Sequence, residues 1–260
     1  MSGYILCQTK KAETPYFIEN ISTNIYSLEE LCYYLYHNLY LVDRSIINEG
    51  LCAWISEELD LPRLAAKLKP HLGKFASAED VLYPIFKEIN YLSYEELRVL
   101  NGKLSRLEME SPLVREKRKG DALMENGMYV NAIKLYQGLL KRDGLEQARE
   151  GLTESIYHNL GCAYSYLFQM DKALDCFWKA WKENHSEKAL KVYLLAYRSV
   201  HSEEEYRKRQ EDLKTDEMVR QETDQALKSF AGLPEQHIAS GETDRILEDL
   251  TREYHRSTGS

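Results

Sequence analysis

Two stretches of this 260-residue chain repeat one another, and that self-similarity limits the fold more than any other feature. Placing Gly120 over Gly161 sets Leu123 over Tyr164, Ala132 over Ala173, Tyr136 over Phe177 and Leu139 over Ala180. Paired helices joined by a short turn must approach closely, so a small residue is needed where they touch. Gly120 and Ala132 answer that need in the first copy, Gly161 and Ala173 in the second. An aromatic one turn later fills the space between successive pairs. Neither pair can bury its apolar face alone, so the copies must stack.

The second copy, through Tyr157, Leu160, Gly161, Tyr164, Ala173, Phe177 and Ala180, resembles the tetratricopeptide repeat. The first copy is a looser match. Lys117 and Lys119 stand where the second copy has Tyr157 and Leu160, while Gly127 and Tyr129 supply the inter-helix turn and its aromatic. Together the copies cover roughly residues 113–187. The two glycines stand 41 positions apart, more than the family's period, and the excess in Arg142 to Gly151 reads as a longer second helix plus a loop. Lys188 to Val200 sets Val192, Leu195 and Ala196 on first-helix positions of a third unit and reads as a helix that caps the stack.

The resemblance implies a groove lined by first-helix side chains that binds a peptide or an extended segment of a partner. Carried over position by position, the groove presents Val114, Lys117, Asp121, Met124 and Glu125 from the first copy. Ser155, His158, Asn159, Cys162, Ser165 and Tyr166 come from the second. One subgroup of the family clamps a chaperone's C-terminal carboxylate. Lys117 and Asn159 match its pattern, but Asp121 replaces an Asn, Leu190 and Leu194 stand nearest the basic third-helix positions, and a carboxylate there repels a ligand carboxylate. The run Arg115-Glu-Lys-Arg-Lys119 is the densest basic patch and reads first as a solvated helix face, with attraction of an acidic peptide as its functional counterpart.

Outside the repeats, helices dominate. Tyr4 to Cys7 and Tyr16 to Ile25 are the best strand candidates, rich in β-branched and aromatic residues. Ser27-Leu-Glu-Glu30 fits a capping box ahead of Leu28, Leu31, Leu35 and Leu39, which share one helical face surrounded by Tyr33, Tyr34, Tyr36 and Tyr40. Tyrosine this dense suits a core helix with hydroxyls reaching solvent, or else a groove or interface. Further helices are expected from Ile46 to Glu58, Leu61 to Leu72, Ala78 to Ile89 and Ser93 to Met109, the last opened by a second box, Ser93 to Glu96. After Ser202-Glu-Glu-Glu205, the apolar residues Tyr206, Leu213, Met218, Val219 and Leu227 are too sparse for a full core stripe. Gly232-Leu-Pro234 and Ser240 to Thr243 read as breaks before a short amphipathic piece with Ile246, Leu247, Leu250 and Tyr254.

The expected fold is therefore mainly α, in three parts. Residues 1–111 form a helical domain with short N-terminal strands. Residues 112–200 form a tetratricopeptide-like antiparallel helix stack, and 201–260 a charged helical or partly disordered tail. Charge follows these parts: 11 basic and 16 acidic side chains in the first, 14 and 11 in the second, 9 and 15 in the third.

Composition narrows the function. A net charge of -8 argues against bulk electrostatic binding of nucleic acid, which needs clustered cations. No run approaches the roughly 18 apolar residues of a membrane helix, and the first residues lack a basic segment followed by an apolar one, so no secretory leader is expected. The five cysteines, at 7, 32, 52, 162 and 176, show no paired or zinc-finger spacing and read as reduced thiols in a cytoplasm. His37, His71, His185, His201, His237 and His255 show no metal spacing. No phosphate loop, G-x-S-x-G or H-E-x-x-H motif is present. His158 with Cys162, four apart on one helix face, is the nearest approach to a base and nucleophile, and groove lining accounts for both.

The reading is a non-catalytic adaptor with a protein or peptide partner and no cofactor, metal or membrane, oligomeric state being left open. The competing class is a bacterial regulator that joins a DNA- or ligand-binding N-terminal domain to a repeat sensor. Glu58 to Leu72 resembles the turn and second helix of a helix-turn-helix. Its Pro62 and Pro70 fit a reader helix poorly, and Arg63, Lys67, Lys69 and Lys74 are few in a region of charge -5.

Overall fold

The computed structural model describes residues 9–72, 79–145, 151–231 and 243–258. Among the described residues the protein is mainly α, with one two-stranded antiparallel sheet. It divides into two compact units, residues 1–126 and 127–258. No helix among the described residues is long and apolar enough to cross a membrane.

The first unit opens with a hairpin of β1 (Tyr16–Ile18) and β2 (Thr23–Ile25), in register Tyr16 with Ile25 and Ile18 with Thr23. A 3-10 turn, Glu19–Ile21, and Ser22 at φ 47° reverse the chain. Alternation sends Ile18 and Ile25 inward and leaves Phe17 exposed. Tyr16 to Ile25 was expected as one strand candidate; Tyr4 to Cys7 lies outside the described residues.

Six helices follow: α1 (Leu28–His37), α2 (Glu49–Glu57), α3 (Pro62–Leu68), α4 (Glu79–Glu88), α5 (Tyr94–Met109) and α6 (Pro112–Glu125). Their starts are set by local chemistry. Ser27, Asn48, Ser93 and Ser111 each accept a backbone N–H in the first turn, and Pro62 and Pro112 sit where no N–H is needed. The Ser93 box closes as expected. At Ser27 it closes differently: Glu30 accepts from the N–H of Tyr26 rather than of Ser27. Leu39 also departs from the expected helical stripe, because α1 ends at His37 and a 3-10 turn, Leu39–Leu41, carries the chain on. Leu28, Leu31, Leu35, Leu51, Ile55, Leu64, Leu82 and Phe86 build the core. The hairpin is tied to it where Tyr16 Oη donates to Ile46 O and Trp54 Nε1 to Thr14 O, both at 2.8 Å. α6 is held against the Leu39–Leu41 turn by an ion pair from Lys119 to Asp43 at 2.5 Å and by Asn126 Nδ2 donating to Asn38 Oδ1 at 2.7 Å.

The second unit contains α7 (Tyr129–Leu139), α8 (Leu152–Tyr166), α9 (Met170–Asn184), α10 (Glu187–Val200), α11 (Glu203–Asp212), α12 (Glu217–Ala231) and α13 (Thr243–Thr258). Neighbours pack in sequence, α7 on α8, α8 on α9 and α9 on α10. The α8–α9 pair is the tightest, and Gly161 shows why. A Cβ there would lie 2.6 and 2.7 Å from two carbons of the Phe177 ring, well inside the roughly 3.5–4.0 Å of carbon contact. Ala132 and Ala173 are fully buried, and Gly120, on α6 of the first unit, is buried too. The expected first repeat copy thus has its two helices in different units.

Two expectations change. The extra residues between the copies do not lengthen α7, which ends at Leu139; residues 140–145 run in turns with Gly144 at φ 83°, and Gly151 at φ 77° precedes α8, and residues 146–150 lie outside the described residues. In the segment after 201, with too few apolar residues for a stripe, α11 and α12 pack against α10, while the side chains of α13 are largely exposed. Tyr206 is fully buried, its Oη donating to Asp224 Oδ1 at 3.0 Å and accepting from Gln210 Nε2 at 2.8 Å. Arg207 pairs with Asp224 at 2.7 Å, and Lys191 of α10 pairs with Glu222 of α12. A hydrogen-bonded network replaces the missing apolar area. The break at Gly232 to Pro234 lies outside the described residues.

Candidate functional site

On α8, Leu152, Ile156, Leu160, Gly161, Ala163 and Tyr164 are buried. At 100° per residue, Ser155, His158, Asn159, Cys162, Ser165 and Tyr166 fall within about a third of the helix circumference, while the half-buried Thr153, Glu154 and Tyr157 lie among the buried positions. The structure therefore gathers all six of these expected groove residues on one strip of the second unit. The first five are half-buried and Tyr166 is 62% exposed.

Contacts at its edges hold the strip in place. Toward α7, Asn159 Nδ2 lies 3.4 Å from Tyr136 Oη, and the Tyr166 ring stacks on Tyr129 at 4.5 Å with planes 5° apart. Toward α9, the His158 ring lies 5.8 Å from that of Phe177. Ser155 and Ser165 turn their hydroxyls back onto the carbonyls of Leu152 and Gly161. Cys162 Sγ sits 3.7 Å from His158 Nε2, but burial raises the thiol's pKa, so sulfur stays protonated at neutral pH. An activated nucleophile needs the opposite shift.

The other five expected groove residues, Val114, Lys117, Asp121, Met124 and Glu125, belong to α6 of the first unit. Lys117 and Asp121 form an i, i+4 ion pair at 2.7 Å, Met124 is half-buried and Glu125 is exposed. Asp121 and Glu125 line a cleft of about 300 Å³ with residues of the α1 end and of α5. Val114, Lys117 and Met124 do not line it.

Sequence reasoning missed a second cluster in the second unit. Arg209 of α11 lies 4.5 Å from the ring of Trp178 on α9 and 5.5 Å from Tyr193 on α10, to whose Oη it donates at 2.9 Å. Trp181 and Tyr197 extend the row of rings. The pairs 178/181 and 193/197, each within one helical turn, were the available signal, but nothing local linked them to Arg209. The cluster fastens α11 to α9 and α10.

Among the described residues no group of His, Cys, Asp or Glu is arranged to hold a metal ion. No protein-family model, curated protein or solved structure matches the chain.

Proposed function

We propose that the protein is a non-catalytic adaptor, acting in the cytoplasm, whose tetratricopeptide-like second unit binds an extended segment of a partner protein. The observation that carries this reading is the half-buried α8 strip, headed by an exposed tyrosine already stacked on Tyr129 of α7. A preordered, exposed aromatic suits recognition of an extended peptide at low ordering cost. The close approach of α8 and α9 at Gly161 supports the family reading, and the protonated Cys162 supports a binding rather than a catalytic role.

The test is capture of binding peptides from a displayed library by the full chain, followed by affinity measurement with the Asn159→Ala, Tyr166→Ala double variant. Affinity falls by about tenfold or more, the loss of roughly 1.4 kcal/mol of contact, while helicity is retained. A folded double variant that binds the same peptides with unchanged affinity would falsify the strip as the site.

A further inference from the structure

We propose that the first unit carries a binding site of its own: the cleft between the end of α1, α5 and α6, which takes a planar ring bearing one anionic group, a carboxylate or a phosphate. Its volume, about 300 Å³, lies at the lower bound for small-ligand sites and matches a ring with one substituent rather than a large cofactor.

The lining divides by chemistry. Tyr36 and Tyr40 give an aromatic wall. Lys103 and Arg106, three residues apart on α5, project from one helix face into the same cleft. Lys103 Nζ lies 4.7 Å from the Tyr36 ring centroid, so cation and ring present themselves together. Among the described residues neither Lys103 nor Arg106 is ion-paired.

The remaining charges are already committed. Arg118, over Tyr40 at 5.7 Å, pairs with Glu110 at 2.8 Å, and Tyr40 Oη donates to the same carboxylate at 3.2 Å. This contact fixes the Tyr40 ring. Asp121 is tied to Lys117. What is left is two cations on α5 facing Glu125 on α6, a balance that accepts a single anion. An anion without a ring would leave the tyrosines unused, and a neutral ring would leave the cations unused. A ligand that joins the two gains both contacts.

The experiment is a ligand-observed NMR titration of the full chain with four probes: benzoate, phenyl phosphate, phenol and inorganic phosphate. Benzoate or phenyl phosphate is expected to bind saturably, and whichever binds more tightly identifies the anionic group. Phenol and inorganic phosphate bind at least about tenfold more weakly than the molecule that joins their features. Lys103→Ala with Arg106→Ala weakens the binding probe by at least about tenfold. Both side chains are exposed, so the thermal midpoint stays put. Glu125→Gln, which removes the opposing charge, tightens it. The proposal is overturned if neither ring-bearing anion saturates, if the double variant binds as well as the parent, or if inorganic phosphate equals phenyl phosphate. The last outcome would reduce the cleft to ordinary surface charge.

Discussion

Replacing Gly161 by Ala tests the contact on which the second unit's packing turns. In a solvent-facing helix this change is favourable by roughly 0.5–1 kcal/mol, because Ala loses less backbone freedom on folding. Gly161 is helical and so open to that gain, but its new methyl would stand 2.6, 2.7 and 3.0 Å from three atoms of the Phe177 ring. An overlap approaching 1 Å requires the ring or α9 to move. Phe177 is buried between elements with little room to give, so the overpacking cost is about 1–3 kcal/mol. The net expectation is a loss of up to about 2 kcal/mol. Gly138→Ala on α7 is the control, since a methyl there meets nothing within 4 Å. Urea unfolding followed by circular dichroism should rank Gly138→Ala above the parent and Gly161→Ala below it. A thermal melt would separate the two variants by roughly 2–4 °C per kcal/mol. Adding Phe177→Leu should restore part of the loss in Gly161→Ala, the coupling expected of residues in contact. If Gly161→Ala proves as stable as Gly138→Ala, the steric argument for the α8–α9 pair fails.

Two further outcomes follow from individual contacts. Burial works to raise the Asp43 carboxyl pKa, but hydrogen bonds from Lys119 and Ser45 outweigh it and hold the group below its ordinary value. Its contribution is therefore present above the unfolded carboxylate value, roughly 3.9, and is lost as pH falls through the folded one. Asp43→Asn should cost less than about 1 kcal/mol at pH 7, since the pair is partly solvent-screened, and the gap to the parent should close in acid; a gap that widens in acid would contradict the assignment. Arg209→Met keeps the apolar stem but removes the charge from the rings of Trp178 and Tyr193, so it should lower stability by about 1–2 kcal/mol and shift tryptophan emission. Unaltered emission would mean that Arg209 does not rest on Trp178 in solution.

The start of α5 was legible from the chain because it is set within a few residues: Ser93 with Glu96 closes its own hydrogen bonds. The small positions of the repeat were legible for a related reason. A glycine repeated in step with an aromatic sixteen residues on can be recognised without knowing where either points, and Gly161 indeed meets Phe177. The six α8 residues shared one strip because helical periodicity alone places them there.

What lay beyond reach depends on contacts with no period. α11 has a strongly polar sequence, and only the folded chain shows Tyr206 sealed under Asp224 and Gln210, with Arg209 laid on rings twelve and more residues away. The cleft of the first unit likewise joins Tyr36 and Tyr40 to Lys103, Arg106 and Arg118 across more than sixty residues. Backbone preferences and helical spacing act over one or two turns, so sequence alone settles which face of each helix is apolar. Which polar side chains meet is decided by chain segments brought together only when the core closes, and in this protein those meetings form the cleft and fasten the last helices.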